Sequence, residues 1–302
     1  MIDRLPWGGF LAALALLVLS ALPASADSEN CKLERYASLP IAIESAGRVT
    51  VPVSLQGEEV NLLVDTGGVF SMISRRVVDR LKLHPQMIYM QSLQMFGGRT
   101  LDHFVTVPEI KIGAMVGKNR DFVVIPDDYL ASDDDGILAT DILAAMDVDF
   151  DMAGGKVALF SHDHCEGKVV YWTHDPYAAV PFKLDDERHM KIDVTLDGKD
   201  VPAFIDTGSF DSAMSLETAA DIFGLDVAAL KKNDGRHAFK LLSFDGVAVA
   251  NPNINLIPDE ESKIMGGYGQ PKLLIGMGIL RQLHFYIAFR ERVMYVTPAD
   301  AK

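Results

Sequence analysis

An internal repeat constrains the fold of this chain more than any other feature of its sequence. Residues 48–57 align with residues 189–198, and at the same offset of 141 residues Asp-Thr-Gly at 65–67 aligns with Asp-Thr-Gly at 206–208. Apolar and glycine positions between these segments match without a gap. Repetition at a fixed offset predicts two structural units of the same kind.

Each copy predicts a β-hairpin that ends at its Asp-Thr-Gly. Apolar residues alternate with polar ones, a Gly-containing turn follows at 56–57 or 197–198, and a second apolar run leads into the motif. Each Asp is therefore expected where a strand gives way to a tight turn, a placement that exposes its carboxylate.

The same further signals follow in both halves: a short helix that begins at a Ser, a hairpin turn, an apolar segment and a pair of terminal strands. We expect the helices near 74–83 and 215–223, the turns at 96–98 and 244–246, the apolar segments at 136–143 and 273–280, and the strands around 148–160 and 285–296. The sequence thus predicts an all-β-dominated, bilobal fold with short helices. Its lobes are predicted at 38–166 and 180–302, joined by a linker at 167–179.

The paired motifs carry a family resemblance. Asp-Thr-Gly followed by an apolar segment of the kind seen at 273–276, Leu-Leu-Ile-Gly, resembles the aspartic peptidases. The chain is similar to a bacterial retropepsin-like peptidase with both lobes in one polypeptide, as in pepsin. The resemblance covers nearly all of the chain after its N-terminal segment. It implies an acid-protease-like β-barrel fold and an aspartic-type endopeptidase that acts on peptide or protein substrates.

Two motifs are needed because peptide hydrolysis by activated water requires both a base and an acid. Two carboxylates that share one proton supply both, since neighbouring like charges cannot both ionise cheaply. We predict Asp65 and Asp206 as this catalytic pair, with no cofactor and no metal. The alternative is a duplicated β fold that lost catalysis, which would be an exported binding or inhibitory module.

The resemblance also implies supporting roles for the residues that follow each Asp. The threonines would bond across the lobe interface, and the glycines would let backbone N–H groups approach the acids. These supporting positions are Thr66, Gly67, Gly68, Thr207, Gly208 and Ser209. Two departures from the family pattern stand out: Gly68 replaces a hydroxyl residue and would leave Asp65 one hydrogen bond short, and Ala139 stands where Gly is expected.

The hairpin around Phe96, Gly97 and Gly98 is the candidate for a flap that shields the site from water. It lies between the motif and the apolar segment, and its glycines suit a mobile turn. Its turn has no tyrosine to match the pepsin flap, and a plain surface hairpin is the alternative.

Residues 1–26 predict a secretory signal peptide, because Arg4 precedes a short apolar run that ends in Ala24-Ser25-Ala26. The expected protein is therefore exported, periplasmic or secreted, and free of the membrane after cleavage; an uncleaved anchor is the alternative. In an oxidising compartment Cys31 and Cys165 can close a disulfide or stay separate thiols.

Other functions have weaker support. The net charge of −14 and the lack of a basic cluster argue against nucleic acid as a partner. The run from His162 to Cys165 with His174 suggests metal ligands, but a solvated turn is the favoured interpretation, as it is for Asp133-Asp134-Asp135 in place of a calcium loop. No serine-hydrolase elbow or phosphate-binding glycine loop occurs.

Overall fold

The computed structural model describes residues 32–44, 47–88, 93–94, 100–130, 134–186, 188–232, 237–258 and 272–300, and β-strands dominate them. The first half contains β1 Arg35–Pro40, β2 Ala42–Ile43, β3 Val49–Leu55, β4 Glu58–Val64, β5 Met72–Ser74, α1 Arg75–Arg80, β6 Gln86–Met87, β7 Leu93–Gln94, β8 Thr100–Leu101, β9 His103–Ile112, β10 Met115–Ile125, β11 Gly136–Leu138, α2 Thr140–Leu143, β12 Asp147–Asp151 and β13 Lys156–Phe160.

The second half follows a similar order. It contains β14 Ala178–Pro181, β15 Lys183–Leu184, β16 Met190–Leu196, β17 Lys199–Ile205, β18 Ser212–Ser215, α3 Leu216–Phe223, α4 Val227–Lys232, β19 Leu241–Phe244, β20 Val247–Ala250, β21 Ile254–Ile257, β22 Leu273–Ile275, α5 Met277–Leu280, β23 Leu283–Ala288 and β24 Val293–Pro298. The predicted all-β-dominated fold with short helices is confirmed.

The predicted hairpins before the motifs are present. β3 pairs with β4 and β16 pairs with β17, each antiparallel. Both turn residues have positive φ in each hairpin, 52° and 87° at Gln56 and Gly57, and 46° and 78° at Asp197 and Gly198. Two positive φ values are those of a type I′ turn, whose twist matches the flanking strands.

Each half builds a sheet with the same arrangement around its motif. In the first, β4 runs parallel to β11, and β11 pairs antiparallel with β5; in the second, β17, β22 and β18 are arranged in the same way. The full orders are β2-β3-β4-β11-β5-β10-β9-β6, with β3 also pairing β9, and β20-β19-β16-β17-β22-β18-β21, with β15 on β16.

A third sheet joins the halves, in the order β1-β13-β12-β23-β24-β14. β12 and β23 pair at its centre, with Phe150 opposite Phe285 and their rings stacked at 4.5 Å. These rings belong to an apolar core that runs through both halves. Burial of side chains from both halves in one core ties them into one compact unit.

The lobe and linker boundaries stay predictions, although β14 already includes residues 178–179 of the segment predicted as linker. No helix in the described part of the chain is both long enough and apolar enough to cross a membrane. The predicted signal peptide at 1–26 lies outside the described residues.

Candidate active site

Both motif aspartates lie directly after a strand that runs beside an apolar strand. Asp65 follows β4 and its N–H donates to Leu138 O at 3.0 Å, while Asp206 follows β17 and its N–H donates to Ile275 O at 3.0 Å. The apolar segments of the sequence thus form the parallel strands β11 and β22 that hold each Asp in place.

Backbone donors orient each carboxylate in the same way. The N–H groups of Gly67 and Gly68 donate to Asp65 Oδ1 at 2.9 and 2.8 Å. Those of Gly208 and Ser209 donate to Asp206 Oδ1 at 2.8 and 3.2 Å. Each acid therefore has one oxygen fixed by two N–H groups and one left for other partners.

The two carboxyl groups are hydrogen-bonded to each other. Each motif glycine lies against the opposite acid: a Cβ atom at Gly67 would lie 2.5 Å from Asp206 Cγ, and one at Gly208 would lie 2.3 Å from Asp65 Cγ. Only glycine lets the two motifs approach this closely.

The surroundings raise the proton affinity of the pair. Burial raises the pKa of Asp206 well above its ordinary value, and the negative charge of Asp65 raises it further. Burial also raises the pKa of Asp65, although the N–H bonds and the positive charge of Arg48 oppose this rise. A neutral acid beside an ionised one is the state that this environment favours.

Thr66 and Thr207 bond across the interface between the halves, as the family resemblance implies. The N–H of each donates to the hydroxyl of the other, at 3.0 and 3.1 Å. The hydroxyls in turn donate to carbonyl groups of the opposite half, Ile205 O at 3.0 Å and Val64 O at 2.7 Å. Both threonines are fully buried, so this network of hydrogen bonds fixes the separation of the two acids.

One predicted effect of Gly68 is wrong. The hydroxyl of its counterpart Ser209 donates to Asp211 O at 2.9 Å rather than to the acid, and the bond from Ser209 to Asp206 is made by its backbone N–H. The missing hydroxyl at Gly68 therefore leaves Asp65 with the same two donors that Asp206 has.

The sequence analysis did not predict a buried serine that forms hydrogen bonds beside each motif. The hydroxyl of Ser71 donates to Asp141 at 2.6 Å and accepts from the N–H of Ala139 at 3.0 Å. Ser212 accepts in the same way from the N–H of Gly276 at 3.1 Å. Ser71 and Ser212 stand 141 residues apart, so the offset of the repeat was a signal that could have found them.

Two residues of the segments predicted as solvated turns are buried. His164 is 2% exposed, and its Nε2 lies 2.5 Å from the carboxylate of Asp147, which His162 Nε2 also approaches at 3.2 Å. Asp134 is 1% exposed and pairs with Arg48. His162 and Asp163 keep 29% and 95% of their side chains exposed, so the turn prediction is wrong for His164 and Asp134 alone. Among the described residues, no group of three His, Cys, Asp or Glu side chains is placed to hold a metal ion.

Other predicted features fall outside the described residues. They are the flap candidates Phe96, Gly97 and Gly98 and the cysteine Cys31, so the flap and the disulfide to Cys165 stay predictions. Two cavities of the described part of the chain, beside Gly246 and beside Pro126, do not contain the dyad.

The fold and the paired motifs define an aspartic-protease-like protein. Residues 51–142, which include the first motif and the first apolar segment, match the aspartyl protease family. Basic 7S globulin from soybean has a similar structure, with a TM-score of 0.54 over 89% of this chain and 96% of the globulin. At 9% identity that likeness concerns the fold alone. No curated protein in the comparison matches the chain.

Residues 51–142 thus match the aspartyl protease family, within a fold similar to that of the globulin. The family match covers the first motif, while the second is tied to the site by the contacts of Asp206, Thr207 and Gly208.

Proposed function

We propose that this protein is an aspartic-type endopeptidase that hydrolyses peptide bonds with water activated by Asp65 and Asp206. The observation that carries the proposal is the hydrogen-bonded pair of carboxyl groups, each oriented by two backbone N–H groups. A raised proton affinity on one member provides an acid and a base in one site.

In the proposed reaction, the ionised carboxylate takes a proton from water as the water oxygen attacks the carbonyl carbon of the substrate. The protonated carboxyl group gives its proton to the carbonyl oxygen, which produces a tetrahedral diol. The proton gained from water then passes to the amide nitrogen as the C–N bond breaks, while one diol hydroxyl returns a proton to the other carboxylate. The carbonyl of the product acid re-forms and the pair regains its starting protonation state. No covalent intermediate with the enzyme forms, and no cofactor or metal takes part.

We also propose that the protein acts outside the cytoplasm, in the periplasm or as a secreted enzyme, because its N-terminal segment has the pattern of a signal peptide. Its partners would be peptides or proteins, and neither nucleic acid nor membrane is needed after the signal is removed. A disulfide between Cys31 and Cys165 would then tether the mature N-terminus.

The test compares purified mature protein with Asp65→Asn and Asp206→Asn variants on a diverse peptide library across pH. Asp163→Asn is the matched control, since its side chain is 95% exposed and lies in the segment after β13. We expect cleavage by the wild type and the control, and a loss of at least about a hundredfold in both dyad variants.

If the wild type cleaves nothing, or if either dyad variant cleaves as well as the control, the peptidase proposal fails. The protein is then a binding or inhibitory module on the same scaffold. Binding of uncleaved peptides by the wild type would be the next measurement.

A further inference from the structure

A cation held between two buried acids lies beside the dyad. Arg48 precedes β3, and its side chain is 20% exposed. Its Nε pairs with Glu44, its Nη2 lies 3.3 Å from Asp134 Oδ2, and its Nη1 donates to Gly208 O at 3.4 Å. The guanidinium therefore contacts the backbone of the second motif from a position in the first half.

The segment that carries Arg48 is fixed against the second half by packing as well. Gly47 has a φ of +83°, and a Cβ atom there would lie 2.6 Å from the ring of Phe210. A residue with a side chain would both strain this turn and clash with the ring. The contact between Gly47 and Phe210 thus fixes the neighbouring Arg48 at the junction of the halves.

The two halves differ in charge at this place. At the offset of the repeat, Glu44 and Arg48 correspond to Asp185 and His189. His189 Nδ1 lies 3.2 Å from Asp185 Oδ2, and Lys191 Nζ lies 3.1 Å from the same oxygen. The second half therefore carries a titratable imidazole where the first carries a permanent cation.

Other charged groups around the site also affect the electrostatic potential at Asp65. Those facing Arg48 are Glu44, Asp134 and Asp65, and those facing Asp65 are Asp206 and Arg48. Asp135, beside Asp134, pairs with Arg76 and Arg80 of α1. The negative charges of Glu44 and Asp134 oppose that of Arg48, so neutralising either should strengthen the effect of Arg48 on Asp65.

We propose that Arg48 is a positioning residue that braces Gly208 and sets a fixed positive charge on the Asp65 side of the dyad, so that Asp65 is the ionised member and Asp206 carries the proton. Gly208, whose carbonyl group Arg48 contacts, lies directly against the carboxyl group of Asp65. The positive charge of Arg48 opposes the rise that burial causes in the pKa of Asp65, and the charge of Asp65 adds to the rise in the pKa of Asp206. For catalysis, which rests on the proposed function, Asp65 is the base and Asp206 the acid.

The test titrates the dyad directly, by ¹³C NMR of Asp-labelled full-length mature protein. The two carboxyl signals are assigned by their loss in Asp65→Asn and Asp206→Asn. The variants compared are Arg48→Gln, Arg48→Lys and Glu44→Gln. Circular dichroism establishes that each is folded.

We expect Arg48→Gln to raise the proton affinity of the ionised member of the dyad about tenfold, the effect of losing a nearby opposite charge. Arg48→Lys keeps the charge and should restore most of the wild-type titration. Glu44→Gln should shift the same titration in the opposite direction, towards lower pH, which loss of structure alone would not produce.

The proposal is overturned if Arg48→Gln leaves the titration unchanged, if Arg48→Lys shifts it as far as Arg48→Gln does, or if Glu44→Gln shifts it upward. Should Arg48→Gln fail to fold, the titrations of Arg48→Lys and Glu44→Gln still test the proposal. Because the titration needs no substrate, an enzyme that cleaves peptides without these shifts refutes this inference alone, and shifts without cleavage refute only the peptidase proposal.

Discussion

Residues 68 and 139, which depart from the aspartic peptidase pattern, contact the same small space beside Asp65. A Cβ atom at Gly68 would lie 2.8 Å from Asp65 Oδ2 and 3.1 Å from the methyl group of Ala139. The second half places Ser209 and Gly276 at the corresponding positions. In each half, one of the two positions is glycine and the other carries a β-carbon, but the order is reversed between the halves. The two departures therefore compensate each other.

This compensation predicts energetic coupling. Gly68→Ser alone should destabilise the protein, because its side chain meets the Ala139 methyl group, and Gly68→Ser with Ala139→Gly should recover part of the loss. We expect a coupling free energy of about 1 kcal/mol from urea unfolding of the four proteins. Additive effects of the two substitutions would show that the residues are independent.

The raised pKa of Asp206 predicts that this acid lowers the stability of the fold. Below the ordinary carboxyl pKa of 3.8, folded and unfolded chains are both protonated and the acid has no effect. As the pH rises, the unfolded chain ionises first and becomes relatively more stable. Asp206→Asn should therefore raise the unfolding free energy at pH 7 by about 1 kcal/mol or more, with no gain near pH 3.

Urea unfolding at both pH values measures this difference, with Asp163→Asn as the exposed control. A loss of stability at pH 7, or an equal gain at pH 3, would contradict the assignment of a strained acid. The measurement is independent of peptide cleavage.

For individual residues, the sequence predicts features that the repeat and local motifs determine. It does not predict contacts between the two halves. The repeat places Asp65 and Asp206 at equivalent strand ends, and the resemblance to aspartic peptidases implies the roles of Thr66 and Thr207. The bond from Arg48 to Gly208 joins residues 160 positions apart, and no local pattern encodes it. The direction of the Ser209 hydroxyl depends on which acceptor its rotamer faces, which residue type does not determine.

Among the secondary-structure elements, the helices α1 and α3 were predictable from the serine that precedes each. Ser74 and Ser215 accept hydrogen bonds from the N–H groups of Val77 and Thr218, and the helices begin at the next residue in each case. A serine in this place satisfies an N–H group that the helix leaves free. The short helices α2 and α5 begin without such a side-chain cap, and the sequence analysis did not predict them.

The strand β12 shows the limit of such patterns. Its order Asp-Val-Asp-Phe-Asp indicates one polar, solvent-facing side, yet Asp147 and Asp149 are fully buried. Tyr171, in the segment after β13, donates to Asp149 at 2.5 Å, and Nε2 of His284 on the neighbouring strand β23 lies 2.8 Å from the same carboxylate. Burial here is decided by a segment that lies elsewhere in sequence.

This buried polar layer predicts a large cost for removing one partner. His284→Leu leaves the Asp149 carboxylate buried with one partner fewer and should lower the free energy of unfolding by about 3 kcal/mol. His174→Leu, an exposed histidine in the segment after β13, should change it by less than about 0.5 kcal/mol. Urea unfolding distinguishes the two.

The double variant Asp149→Leu with His284→Leu should lose less than the sum of the single variants, because no unpaired charge remains in the layer. Equal losses for His284→Leu and His174→Leu would mean that the layer contributes little to stability.

For the molecule as a whole, the third sheet and the hydrogen bonds of Thr66 and Thr207 join the two halves into one cooperative folding unit. Strands of both halves pair at β12 and β23, their side chains share one core, and Thr66 and Thr207 each bond to the opposite half. Geometry at the dyad therefore depends on both halves being folded at once. A site assembled from two halves requires this, since a shift of about 1 Å between reacting groups can cost roughly a hundredfold in rate.

Cooperativity at this scale predicts a single unfolding transition, although chains of this length often unfold in steps. Trp172 stacks on His284 at 4.1 Å, so its fluorescence reports on the third sheet, while far-UV circular dichroism reports on all strands. The two signals should give the same urea midpoint. Phe122→Leu in the first half and Phe239→Leu in the second, both fully buried, should each lower that common midpoint. Separation of the fluorescence and dichroism transitions in either variant would show that one half unfolds while the other persists, and a dyad held by both halves would then be lost before the fold is.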